Sequence, residues 1–221
     1  MLSELLFLRY CLLGDHHLQT NDRLVCDNCL EQIPITREPH LPHVWHKSDD
    51  SPLESVCSYW TFQEQVQSLI HALKYQRKPS LGEYLGQFIA TRIKLPWLSS
   101  VDRVFPVPLH PTKQRARGYN QAAAIARGVG EALSVSVDAT GIVRRRFTET
   151  QTKLSRTERH ENLMGAFQVH PQVTLSENET ILLIDDVFTT GATLESAARS
   201  LRKKYSTTVY GLTLATAPLE A

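Results

Sequence analysis

Apolar residues recur along this chain with two different periods. Thr180 to Ile184 is a continuous apolar run of strand length, which suits a central parallel strand buried on both faces. Leu194, Ala197, Ala198 and Leu201 follow at i, i+3, i+4 and i+7, one buried helix face with Glu195, Arg199 and Arg202 outside it. The same alternation fills the chain between residues 53 and 221. Ser55 to Phe62, Asp102 to Leu109, Ile142 to Phe147 and Thr208 to Leu214 read as strands. Val66, Leu69, Ile70 and Leu73 mark a helix, as do Leu81, Leu85, Phe88 and Ile89, and then Ile125, Ala126, Val129 and Leu133. A capping box, Ser155 with Glu158, predicts a further short helix before Gly165-Ala166-Phe167 and another strand. Strands alternating with helices predict an α/β fold with a parallel-cored sheet flanked by helices.

The informative junction follows the central strand. Asp185 and Asp186 stand at its end, then Val187 and Phe188, then Thr189-Thr190-Gly191-Ala192-Thr193 at the start of a helix. Free N–H groups and the helix dipole favour an anion there, phosphate above all. Gly191 permits close approach of the backbone, and the threonines add hydroxyl donors. The two acids suit neighbouring hydroxyls or a hydrated Mg²⁺. A phosphate beside a diol describes a ribose 5-phosphate. The plainer reading is a capped strand-turn-helix without a ligand.

A second anion site is expected after Asp102 to Leu109. His110-Pro111 leads into residues 112–121, read as a polar cationic loop carrying Lys113, Arg115 and Arg117. Arg144, Arg145, Arg146, Lys153, Arg156 and Arg159 form a local basic segment, suited to phosphates or to a solvated, salt-bridged face. Lys74, at a helix end, reads by itself as a capping charge.

Composition narrows the class. A net charge of +1 over 221 residues gives no global attraction for polyanions. No run approaches the roughly 20 apolar residues of a membrane span, and the start lacks a basic lead and a cleavage site, so a cytoplasmic protein is expected. Of four cysteines, Cys26 and Cys29 form a C-x-x-C pair, which points to a reduced compartment and a metal. With Cys11 they are candidate zinc ligands. Gly14 stands where a second C-x-x-C would be completed, so the fourth ligand falls to His16, His17 or Cys57. Residues 1–36 therefore read as a zinc-knuckle-like segment, 37–52 as a linker with His40, His43 and His46 in a solvated loop, and 53–221 as the α/β domain.

The stretch ILLIDDVFTTGATL resembles the phosphoribosyl-diphosphate (PRPP) motif of type I phosphoribosyltransferases. The resemblance implies that Asp185 and Asp186 contact the ribose, that residues 187–193 cradle the 5-phosphate, and that Leu109, His110, Lys113, Arg115 and Arg117 serve the pyrophosphate, with Mg²⁺ as cofactor. Thr189 stands where purine-salvage members often carry a third acid, so the loop looks more like the orotate type. Together with LKYQRKPSLGEYLG, VPLHPTKQRARGYNQ and RRRFTETQTKLSRTERHENLMGAF, the chain resembles the ComF family of competence-associated proteins over nearly its whole length. That resemblance implies a role in the uptake of transforming DNA, beside a helicase. It implies phosphoribosyl transfer to an acceptor or, alternatively, a non-catalytic adaptor for PRPP or single-stranded DNA. Lys74, Arg144, Arg146 and Gln151 are the candidate nucleic-acid or substrate contacts.

Overall fold

A computed structural model describes residues 10–14, 16–18, 24–35, 43–46, 51–145 and 165–217. Its centre is a six-stranded sheet of β1 (His43–His46), β2 (Ser55–Thr61), β3 (Arg103–Pro106), β4 (Ser136–Val137), β7 (Thr180–Phe188) and β8 (Thr208–Thr216), in the spatial order β1-β2-β8-β7-β3-β4. Every neighbouring pair is parallel except β1 with β2. A separate antiparallel pair, β5 (Ile142–Arg144) and β6 (Phe167–Val169), stands apart from the sheet. The chain is thus α/β with a mostly parallel sheet, as its periodicities require.

Strand β7 shows why the middle of the sheet is apolar throughout. Its residues alternate between two cores. Leu182 and Ile184 join Val104, Leu212 and Leu214 on one face. Helices α2 (Glu64–Tyr75), α3 (Pro79–Ala90) and α5 (Gln121–Leu133) cover that face with Leu69, Leu73, Leu85, Phe88, Ile125 and Val129. Ile181 and Leu183 face the other core, where α6 (Ala192–Arg202) contributes Leu194, Ala197, Ala198 and Leu201 and β6 contributes Phe167. The helix face expected from spacing is the one that α6 buries.

Helices α3 and α5 cross on glycines. Gly82 and Gly86 lie one turn apart on α3, opposite Ala124 and Gly128 on α5. A methyl group added at Gly128 would stand 1.8 Å from the Glu83 carbonyl oxygen, and one at Gly86 would stand 2.2 Å from that of Ile125. Backbones therefore touch across this seam, which fixes where α5 begins.

The N-terminal segment joins the first core. Cys11, Val25, Cys29, Leu30 and Ile33 belong to the same buried cluster as Phe88 and Ile89. Its short helix α1 (Asp27–Glu31) is tied outward by Arg92 Nη2 to Glu31 Oε1 at 2.6 Å.

Three expectations need correction. Strand β7 does not stop at Ile184 but runs through both acids to Phe188. Residues 112–121 are not a loop: α4 (Pro111–Arg117) forms there, with Pro111 in its first turn and Gly118 as a left-handed cap at φ +83°. Within the stretch read as a linker, His43–His46 form an antiparallel edge strand on β2 rather than a loop, and Ser51 is buried. The expected helix after Ser155, together with Arg146 and Gln151, lies outside the described residues.

Candidate functional site

The parallel strands β3 and β7 end side by side, Pro106 opposite Ile184, and the chemistry gathers just beyond. Asp185 is partly exposed and Asp186 buried. Asp185 Oδ1 accepts from the Asp186 N–H at 2.8 Å, and Asp186 Oδ1 accepts from the Val187 N–H at 3.0 Å. Lys74, in the last turn of α2, reaches Asp186 Oδ2 at 2.9 Å. Gln121, the first residue of α5, brings its Nε2 to the same oxygen at 3.5 Å, while its Oε1 accepts from Arg117 Nη1 at 2.9 Å. Lys74, Asp186, Gln121 and Arg117 thus form one continuous polar chain across three helices and a strand.

Local devices hold these helix ends. Asn120 caps α5 by accepting from the Ala122 N–H at 3.1 Å, and donates through Nδ2 to the Val107 carbonyl at 3.0 Å. The Tyr119 hydroxyl donates to the Leu73 carbonyl, one residue before Lys74. Nδ1 of His110 caps α4 by accepting from the Thr112 N–H at 3.3 Å.

Charge is unevenly distributed around the acids. Burial and the adjacent Asp186 carboxylate push Asp185 well above the ordinary carboxylate range. Burial acts against Asp186 too, but the Lys74 ammonium outweighs it and holds that carboxyl low, helped by Asp185 and Arg117. Burial lowers Lys113, and so do the neighbouring charges of Arg144, Arg117 and Lys74. The His110 imidazole is lowered by desolvation and then by Arg144, Arg115 and Lys113. Arg144, at the end of β5, is lowered by burial, which Asp185 opposes. Cations crowded closely enough to discourage one another's charge make a place for an anion.

On the far side of the acids, α6 opens at Gly191, φ +80°. A side chain there would be strained by that angle and would press on the Phe188 ring 3.1 Å below, so the backbone angle favours glycine. The Thr190 hydroxyl lies 3.5 Å from the Ala192 N–H. Thr189 is exposed, and Thr190 and Thr193 are half-buried.

A second cluster lies in the N-terminal segment. The sulfurs of Cys11, Cys26 and Cys29 are all within 4.8 Å of one another. The Cys26 N–H lies 3.4 Å from Cys11 Sγ. Burial opposes ionisation of Cys26, yet hydrogen bonds from the Cys29 backbone and from the Cys29 and Cys11 thiols hold it low. Cys29 is pushed up to about 12 by burial and by the Cys26 and Cys11 thiols. The His16 ring is adjacent: a Cβ at Gly14 would be 3.3 Å from both Cys29 Sγ and His16 Cδ2. Three thiols sharing one space suit a soft or borderline metal such as zinc.

Comparison with known proteins gives the chain's family. The profile of the phosphoribosyl transferase domain matches residues 116–218, which include α5, β7 and α6. The chain is 31% identical to competence protein F of Haemophilus influenzae, across 80% of this chain and 72% of that protein. The chain belongs to the ComF family. Other members agree over similar spans. DNA utilization protein YhgH of Escherichia coli O157:H7 is 28% identical across 85% of this chain and 82% of its own length. Competence protein ComFC of Bacillus subtilis is 28% identical across 83% and 80%. A solved glutamine PRPP amidotransferase from B. subtilis overlaps 60% of this chain and 26% of its own at TM-score 0.40 and 19% identity, too distant to carry an argument.

Against these family expectations, the candidate residues divide. Asp185 and Asp186 stand near the carboxyl end of β7, Lys74 and, through Gln121, Arg117 are tied to Asp186, and residues 189–193 lead from β7 into α6. Lys113 and His110 both feel the charge of Arg144. Arg115 is exposed on α4. The Phe188 side chain is buried beneath the turn and Val187 packs against the first core, so neither side chain is presented to a ligand. Lys74, read as a helix-end charge or a nucleic-acid contact, is bound to Asp186. Arg144 is half-buried, its guanidinium 5.4 Å from the centre of the Phe167 ring, and it feels the charge of Asp185. Gln121 was not singled out from sequence; the only hint was a polar side chain on the first turn of a helix face otherwise made of alanines and isoleucine.

Proposed function

We propose that this protein binds PRPP with Mg²⁺ and transfers the phosphoribosyl group to an acceptor, in the cytoplasmic handling of DNA taken up by the cell. One observation carries the reading. A partly exposed acid, held high by burial and by its neighbouring carboxylate, stands on the strand that leads into a glycine-opened helix N-terminus and lies within the field of half-buried cations. The first end suits the 5-phosphate, through the free N–H groups of α6 and the hydroxyls of Thr189 and Thr193. The second suits the diphosphate, through Lys113, Arg117 and Arg144. The acid itself suits the ribose hydroxyls.

The chain's residues would act mainly by placement and charge. Lys113, Arg117 and Arg144 would neutralise the pyrophosphate as it leaves. The hard oxygens of Asp185 fit a divalent ion that relieves the repulsion raising that carboxyl. Mg²⁺, when bound, would supply further charge stabilisation for the diphosphate. Cys11, Cys26 and Cys29 would hold a structural zinc ion, with His16 as the fourth ligand in place of a cysteine at position 14.

The names of the relatives, DNA utilization and competence proteins, support DNA as the setting. A second reading, single-stranded DNA binding without turnover, is favoured by the outer rim of this site. Tyr75 is 63% exposed there, ring to ring with His71 at 4.7 Å and close in sequence to Arg77 and Lys78.

Titration calorimetry of PRPP with Mg²⁺ into the wild type and Asp185→Asn, followed by pyrophosphate release over a panel of bases and nucleic acids, tests the proposal. Equal binding by both proteins would sink the site. Binding without any release, together with salt-sensitive affinity for single-stranded DNA, favours the second reading.

A further inference from the structure

Consecutive residues on a strand leave it on opposite faces, and this separates the two acids. The alternation is clean from Ile181 to Ile184 and no longer holds at Val187 and Phe188, so the partners decide the acids: Asp186 is held by Lys74 of α2 and Gln121 of α5, and Asp185 feels the charge of Arg144 on β5. Asp186 is only 7% exposed. Its Oδ1 is occupied by the Val187 N–H, and its Oδ2 by Lys74 and Gln121. An ionised carboxylate offers about four acceptor positions, so the protein already uses most of them. Asp185, more open, spends an oxygen on the Asp186 N–H and has the Arg144 charge for a neighbour.

Resting on the PRPP reading, we infer that the twin acids have different tasks. Asp185 is the one that meets the sugar. Asp186 is a positioning residue, the anchor that aims Lys74 directly, and Arg117 through Gln121, at the diphosphate end of the pocket. Lys74 is then a diphosphate-binding cation rather than a helix cap. The surrounding clasp fits this task. Tyr119 ties the carboxyl end of α2 to the α4–α5 junction. The Arg77 side chain comes within 4 Å of the space above Gly118. Arg77 itself has φ +51°, a conformation that a non-glycine residue keeps only when its surroundings enforce it.

The inference separates from the alternative, in which both acids grip the ribose, on a ligand without a ribose. Inorganic pyrophosphate and PRPP are titrated, each with Mg²⁺, into wild type, Lys74→Met, Asp186→Asn and the double variant. Simple electrostatics predicts that removing a carboxylate beside a polyanion site tightens pyrophosphate binding. The anchor predicts the reverse. Asp186→Asn and Lys74→Met should each weaken both ligands by about tenfold, and the double variant should be no weaker than the worse single variant. Lys74→Arg should recover part of the loss, and far-UV dichroism with unfolding midpoints shows that each variant is folded. Unchanged or tighter pyrophosphate binding by Asp186→Asn, with PRPP weakened, overturns the inference, as do additive losses in the double variant. Wild type that binds pyrophosphate but not PRPP overturns the PRPP reading and leaves the anchor to the pyrophosphate series. Wild type that binds neither overturns both.

Discussion

The glycine seam between α3 and α5 gives a graded prediction, because the space at three positions is known. A methyl group at Gly82 would meet the Ala124 methyl at 2.7 Å, one at Gly86 the Ile125 carbonyl oxygen at 2.2 Å, and one at Gly128 the Glu83 carbonyl oxygen at 1.8 Å. Ordinary contact begins at about 3.4 Å, so the shortfalls are about 0.7, 1.2 and 1.6 Å. Each alanine gains about 1 kcal/mol of helix propensity over glycine. Against that stands overpacking, about 1–3 kcal/mol in a tight core, and it rises with the shortfall. It is also worse where the obstacle is backbone, which cannot rotate away. Gly82→Ala, which meets a methyl fixed to its own backbone, should therefore cost the least of the three, and Gly86→Ala should lose at least about 1 kcal/mol. Gly128→Ala should lose about 2 kcal/mol, equivalent to a melting temperature about 4–8 °C lower for a chain of this size.

Urea and thermal unfolding measure these values, with unchanged m-values showing that stability alone has moved. The double variant Gly82→Ala/Ala124→Gly carries the methyl on the opposite helix and should match the stability of a simple Ala124→Gly change corrected for propensity. Equal losses at all three sites, or a Gly128→Ala protein as stable as wild type, would refute the claim that backbone contact sets this crossing. The consequence reaches the site, since α5 begins with the residue that touches Asp186. Gly128→Ala should weaken ligand binding even where the protein remains folded.

Asp185→Asn should stabilise the free protein at neutral pH while destroying ligand binding. The sign follows from the raised carboxyl: its cost is absent below the unfolded value of about 4 and fully present above the raised folded value, so it grows as pH rises. Melting temperatures between pH 4 and 8 should show a gain of a few degrees at the upper end that vanishes toward the lower. Zinc analysis of the purified protein should find about one ion per chain; Cys26→Ser should lose it, and a strong chelator should lower the melting temperature of wild type but not of the variant. Glu179→Gln should cost about 1–3 kcal/mol in urea unfolding, because the buried carboxylate holds both Arg103 Nε at 2.8 Å and the Ser176 N–H at 2.8 Å.

How much of this was legible in the chain depends on how local the signal is. Strand β7, the Gly191 turn and the α6 face are written in adjacent residues, so this end of the candidate site is directly legible. The cationic stretch carries helix signals as well, Pro111 at its start and Gly118 at its end, but its polarity masks this punctuation. The edge strand His43–His46 is short, pairs among the described residues with β2 alone, and lies in a Pro- and His-rich stretch. Its order comes from the neighbouring strand and not from its own sequence.

Lys74 shows where local reading stops. As a helix-end cation it has a complete explanation in the helix dipole, and nothing within several residues contradicts it. Its actual partner lies on a strand more than a hundred residues later, and Tyr119 holds the end of α2 beside it. The period-2 rule did contain part of the answer. Two adjacent acids on a strand cannot face one ligand in the same way, and one of them must turn toward whichever helix covers its side. A buried carboxylate on that side needs a cation, and the helix over it ends in Lys74. The pairing follows from strand geometry and the cost of an unpaired buried charge once the strand is known to run past Ile184, and that extension was the step that local apolarity concealed.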